Sequence, residues 1–130
     1  SAFTQTTAGT VTSATISYNV FVDTGTNSYG TGNKYFITGL SGPSPTLTLN
    51  EGTTYRFVQS DSSNGGHPFR FSTTANGTHG GGSEYTTGVS TNGIPGQSDS
   101  YTEITVAVGA PTLYYYCTNH SGMGGQANTP

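Results

Sequence analysis

The sequence predicts an all-β fold, a sandwich or a barrel, on three observations. Apolar residues alternate with polar ones in short runs, and no stretch repeats them at helical spacing. The runs are separated by clusters of Gly, Pro, Asn and Ser, the residues that turn a chain between strands. Finally, the chain is rich in Thr, holds nine tyrosines and has little Lys or Glu, a composition suited to pleated surfaces. At 130 residues it fits one domain, spanning 1–130, long enough to fold around a single core without disulfides.

Six or seven strands are expected. The first convincing one carries Ile16, Tyr18, Val20 and Val22 at period two, leaving Ser17 and Asn19 toward water. Residues 23–33 read as a loop, and 34–38 as a second, short strand. The turn 39–45 contains Pro43 and Pro45, which cannot donate to a ladder and force a change of direction. Residues 46–49 and 53–59 read as a hairpin-like pair about Asn50-Glu51-Gly52, with Leu47 and Leu49 forming one inward set and Tyr55 and Phe57 another. After a polar loop at 60–66, His67, Phe69 and Phe71 share one strand face, with Arg70 on the other. Residues 72–100 form a long Gly/Thr/Ser-rich insertion whose apolar anchors are Tyr85, Val89 and Ile94. Alternation resumes through Ile104, Val106 and Val108. Gly109 and Pro111 then turn the chain into a last strand, 112–117, whose Leu113, Tyr115 and Cys117 share a face.

Charge narrows the classes of partner. Three basic residues, Lys34, Arg56 and Arg70, stand against six acidic ones for a net charge of −3, and no basic stripe exists to neutralise a phosphate backbone, so no nucleic-acid partner is expected. The longest apolar stretch, 104–108, is too short to span a bilayer, and no membrane span is expected. A polar surface with only 7% charged residues points to an extracytoplasmic setting: periplasmic, secreted or on a virion surface. The start at Ser1 fits a mature chain or one excised from something larger. No Gly-x-Ser-x-Gly elbow or acid–base pair is present, and no enzymatic activity is expected.

The informative stretch is Cys117-Thr-Asn-His120-Ser-Gly-Met123, at the end of the last strand. A thiolate anchors copper strongly, imidazole suits both its oxidation states, and a thioether makes a weak axial ligand. His67, beginning a strand after a Gly-rich loop, is the candidate fourth donor, expected to reach Cys117 from across the sandwich. The proposed metal set is therefore His67, Cys117, His120 and Met123.

These residues resemble the cupredoxin family of blue copper proteins. The resemblance rests on residues 47–57, on His67 and on residues 115–123, and the Cys-x-x-His-x-x-Met spacing is similar to the short ligand loop of amicyanin-type members. It implies a Greek-key β-sandwich holding one Cu(I)/Cu(II) ion near one end and passing single electrons, with the exposed edge of His120 as the port. The chain departs from the family in two places. Pro68 stands where an Asn often braces the Cys loop, and Asn119 where a Pro often precedes the second His. Gly66 leaves room for its carbonyl to approach the metal from the side opposite Met123, as in azurin-like relatives. The Gly/Thr-rich insertion, including residues 78–85, also looks like cupredoxin-like modules of marine phage virion proteins.

Each residue has a plainer alternative. A lone buried cysteine is commonly an inert small hydrophobe, Met123 can simply fill a gap at the sandwich end, and His67 can cap a backbone carbonyl. His79, within the insertion, reads as a solvent-exposed histidine. Tyr114, Tyr115 and Tyr116 read as strand packing, alternately inside and outside. The sequons Asn76-Gly-Thr78 and Asn119-His-Ser121 are expected by chance in so Thr- and Ser-rich a chain. At the level of function, the alternative to an electron carrier with an unknown redox partner is a structural or adhesive module beside neighbouring domains of an extracellular or virion assembly. There copper would be stabilising or absent. Zinc can use the same Cys and His donors. A binuclear copper-A centre is excluded, because it needs two bridging thiolates and the chain has one cysteine.

Overall fold

The computed structural model describes residues 14–130. Residues 1–13, which the single-domain reading includes, lie outside it. Ten strands are present among the described residues: β1 (Thr15–Asn27), β2 (Gly30–Ile37), β3 (Leu47–Thr48), β4 (Thr54–Val58), β5 (Phe69–Ser72), β6 (Glu84–Tyr85), β7 (Val89–Asn92), β8 (Tyr101–Thr105), β9 (Leu113–Cys117) and β10 (Gly125–Asn128). They form two five-stranded sheets, ordered β2-β1-β4-β8-β7 and β3-β10-β9-β5-β6. Both are mixed: β1 runs parallel to β4 and β3 parallel to β10, and the other pairs are antiparallel.

Alternation explains why the sheets face each other. Tyr55 and Phe57 from one sheet meet Phe69, Phe71 and Tyr115 from the other, all buried. Phe57 stacks on Phe69 at 4.7 Å between ring centroids and meets the edge of Phe71 at 5.7 Å. Tyr18 also stacks on Phe57, at 5.6 Å. Aromatic rings bury large apolar areas and prefer such offset and edge-on arrangements, so this cluster is the main adhesive between the sheets.

Four local expectations are corrected. Residues 23–33 are not a loop: β1 and β2 form one long hairpin that pairs from Val20↔Ile37 to Asn27↔Gly30 and turns at Ser28 and Tyr29. Its Gly, Thr and Asn residues hid the strand because much of this ribbon has no buried face to demand alternation. Residues 46–49 and 53–59 are not a hairpin. β3 pairs with β10 in one sheet and β4 with β1 and β8 in the other, so Asn50-Glu51-Gly52 arches between layers, and the two inward sets meet across the core. Val108 is 86% exposed, because the chain leaves the sheet after Thr105. Ile94 is 69% exposed and anchors nothing, whereas Tyr85 and Val89 do pack on the core.

The insertion at 72–100 supplies β6, β7 and a short 3₁₀ segment, Gly77–Gly80. That segment lies over the outer face of β9. Gly77, at φ +56°, comes so close to the Tyr116 ring that a Cβ there would sit 2.4 Å from it. Tyr115 points into the core and donates to the Pro45 carbonyl at 2.6 Å, while Tyr116 is buried on the opposite face under the insertion. Both faces of β9 are thus covered.

Replacing Phe57 by Ala should cost about 3–5 kcal/mol, as for buried aromatics generally. Val108→Ala should stay within about 0.5 kcal/mol, the usual range for exposed positions. Urea denaturation of the two variants checks the difference.

Candidate metal centre

The ladder between β5 and β9 places Phe69 opposite Cys117. Because β5 begins at Phe69, His67 lies just beyond the same sheet end at which Cys117 closes β9. His67 therefore reaches Cys117 from the neighbouring strand of its own sheet, not from across the sandwich as its position after the Gly-rich loop suggested. The chain then turns through residues 118–124, which bring His120 back over the same end.

The three side chains converge. The Cys117 Sγ lies 3.6 Å from the His67 Nδ1 and 3.8 Å from the His120 Nδ1. One donor atom from each residue falls within 4.8 Å of the others. Metal–sulfur bonds of about 2.3 Å and metal–nitrogen bonds of about 2.0–2.1 Å, opened at tetrahedral to trigonal angles, put N and S roughly 3.5–3.8 Å apart. Both separations match, so the group can hold a metal ion. Cys117 is fully buried, His67 is 8% exposed, and His120 is exposed to solvent. Met123 follows three residues on and is buried in the core cluster.

His67 is held by its backbone. Its carbonyl accepts from the Tyr35 hydroxyl at 2.7 Å and from the Gln59 Nε2 at 2.7 Å, and its N–H donates to the Asn64 carbonyl at 2.8 Å. The Gln59 amide also accepts from the Phe69 N–H at 3.1 Å, and the Asn64 side chain donates to the Val20 carbonyl at 2.8 Å. Tyr35, Gln59 and Asn64 are all buried. Buried polar groups are costly unless satisfied, and here each one fixes the segment that carries His67.

The 118–124 loop is held as firmly. Asn119 donates to the Gly66 carbonyl at 2.9 Å, tying the loop to the residue before His67. The Gly66 carbonyl thus accepts from Asn119, which occupies one of its two lone pairs. The same bond performs from the other side the bracing that Pro68 cannot provide. The Gly122 N–H donates to Asn76, its carbonyl accepts from Asn27 and Lys34, and the Met123 carbonyl accepts from the Tyr35 N–H and the Ser44 hydroxyl. His79 is exposed, as expected, but one ring nitrogen lies 2.8 Å from the Cys117 carbonyl, beside Tyr116.

Burial sets the protonation of two groups here. It raises the Tyr35 hydroxyl well above its usual range, aided by the neighbouring Cys117, so Tyr35 stays protonated as a donor. Burial also lowers the His67 imidazole, and the charge of His120 adds to this, so the neutral, metal-ready form is favoured.

The sequence pointed to His67, Cys117, His120 and Met123. It did not point to Tyr35, Asn27, Ser44 or Asn76, which sit far from these residues along the chain, nor to Gln59 and Asn64, which lie just before His67. Only the Asn and Gln scattered in loops beside the strand ends hinted at such a clamp. Neither a protein-family model nor a curated protein matches the chain.

Two outcomes follow from this geometry. The folded state resists protonating His67, so metal-free protein should lose stability as pH falls below about 6.5, the ordinary histidine value, toward the lowered folded value. Above about 6.5 the imidazole is neutral in both states and contributes no slope. Urea midpoints at pH 7.5 and 5.0, flatter in His67→Gln, check this. Gln59→Leu should weaken metal binding about 10–100-fold, as losses of outer partners typically do, in competition titrations against a chelator.

Proposed function

We propose that the chain is a mononuclear type 1 copper domain of the cupredoxin kind, passing one electron at a time. The observation that carries this reading is the convergence of two imidazole Nδ1 atoms on one buried thiol, 3.6 and 3.8 Å away. Two His and one Cys with a weak axial thioether is the donor set of blue-copper sites. In this reading Met123 would supply the weak fourth donor, and Cys117 would bind as its thiolate. When bound, the ion supplies reversible one-electron chemistry.

The chain's own residues supply the rest. The Tyr35, Gln59 and Asn119 hydrogen bonds hold the ligands in one arrangement, so little rearrangement accompanies a change of oxidation state. Burial of Cys117 and Met123 keeps water from the sulfur donors, and His120 offers the exposed route to a redox partner. We read the protein as a carrier rather than an enzyme, working outside the cytoplasm, with no nucleic-acid partner. No helix among the described residues is long and apolar enough to cross a membrane.

A second reading, a structural or adhesive module of an extracellular or virion assembly, draws on one specific feature. Soluble carriers commonly find partners through complementary charge, and only 7% of this chain is charged. Copper would then act by mass action on stability alone.

Titration of reduced, metal-free protein with Cu(II) separates these. Intense visible absorption saturating at one equivalent, with the matching electron paramagnetic resonance signal and loss of both in Cys117→Ala, is the expected result. Bound copper without colour overturns the electron-transfer reading. A large rise in melting temperature with no electron exchange with any carrier favours the module.

A further inference from the structure

The chain contains a single lysine, and it is buried. Its two arginines have partners: Arg56 lies 2.8 Å from Glu103 and 3.9 Å from the centre of the Tyr101 ring, and Arg70 lies 3.6 Å from Glu84. Lys34, on β2, is only 3% exposed, and no carboxylate pairs with it among the described residues, which include all six acidic side chains. Its Nζ donates instead to a neutral acceptor, the Gly122 carbonyl, at 2.8 Å.

A buried ammonium without a counter-ion is costly, and one that persists calls for a reason. Holding the loop is not a sufficient one. The same carbonyl already accepts from the Asn27 amide at 2.8 Å, an uncharged donor that ties the loop to the same hairpin. What Lys34 adds is its charge, placed against the residue that directly precedes Met123.

Such a charge would act on an ion held by these donors. One thiolate, two neutral imidazoles and a thioether give a site of zero net charge with a monovalent ion and of +1 with a divalent one. A fixed positive charge nearby raises the energy of the second state and leaves the first almost untouched. We propose that Lys34 is a specificity-determining residue, a buried cation that biases the centre toward monovalent metal, favouring Cu(I) over Cu(II) and disfavouring Zn(II). The inference rests on the copper reading for its redox consequence and on the donor set alone for its preference between ion charges.

The test is a set of competition titrations of Cu(I), Cu(II) and Zn(II) on wild type, Lys34→Gln, Lys34→Met and Lys34→Arg, with melting of each metal-free protein as a check on folding. Lys34→Gln keeps a donor without the charge, Lys34→Met keeps only the apolar stem, and Lys34→Arg keeps the charge. Neutral variants should bind Cu(II) and Zn(II) about tenfold more tightly relative to Cu(I), a fall of about 59 mV in the copper potential. Lys34→Arg should stay near wild type. Unchanged ratios in a folded neutral variant, or an equal shift in Lys34→Arg, overturn the proposal. Should Lys34→Met fail to fold, Lys34→Gln carries the comparison. A wild type whose copper shows no thiolate band overturns the electron-transfer reading, and the Zn(II)-to-Cu(I) ratio then still decides the role of Lys34.

Discussion

The register of β5 on β9 is the constraint on which the site depends. With Phe69 opposite Cys117, the inward sets Phe69 and Phe71 and Leu113, Tyr115 and Cys117 lie on the same face of one sheet. Side chains alternate with a period of two, so a slip of one residue would turn Cys117 to the outer face and carry Tyr116 into the core. Both faces of β9 resist that slip. Phe57 and Phe69 stack between the sheets on the inside, and Gly77 admits the Tyr116 ring on the outside with no space to spare. A large aromatic core therefore aligns the sulfur of a single cysteine with the histidine of the next strand.

Register alone sets only the distance between two strand ends, and the polar network does the rest. Tyr35 is the hinge of that network: its hydroxyl holds the His67 carbonyl while its N–H holds the Met123 carbonyl. One residue of β2 thus ties both margins of the site to the hairpin, although β2 belongs to the opposite sheet. The long β1–β2 ribbon consequently has a role its composition concealed. Asn27, Lys34 and Tyr35 all reach from it to the 118–124 loop.

This division explains what was legible in the sequence. Core strands announced themselves because burial on one face imposes alternation, as in β4 and β8. Two of the three converging side chains were legible because Cys117 and His120 stand three residues apart at the end of a strand. Elements with two exposed faces, such as the distal ribbon around Gly25 to Thr31, carry no such pattern. β10 and the strands of the insertion are short and polar, and they exist only because a neighbour offers them an edge. The separation of β3 from β4 was hidden for a related reason: a tight turn and an inter-layer arch can use the same Asn-Glu-Gly sequence, and the choice is made by β10, about eighty residues later. Hydrogen bonds such as Gln59 to His67 or Asn119 to Gly66 depend on where whole strands end, which local pattern does not encode.

The same network bears on whether a metal is needed for the fold at all. In small domains organised by metal, the ligands are the core, and binding free energy is folding free energy. Here the core lies between the sheets, in Phe57, Phe69, Phe71 and Tyr115, and the ligands sit at its end. The carbonyls of Gly66, His67, Gly122 and Met123 each have donors from the protein itself. The backbone of the site is thus satisfied by the chain alone, and an ion entering it meets donors already in position. Such preorganisation lowers the ordering cost of binding and holds the ligands alike in two charge states. It is the arrangement expected where a centre changes its charge while the protein around it stays still, and less so where a metal serves only to hold a chain together.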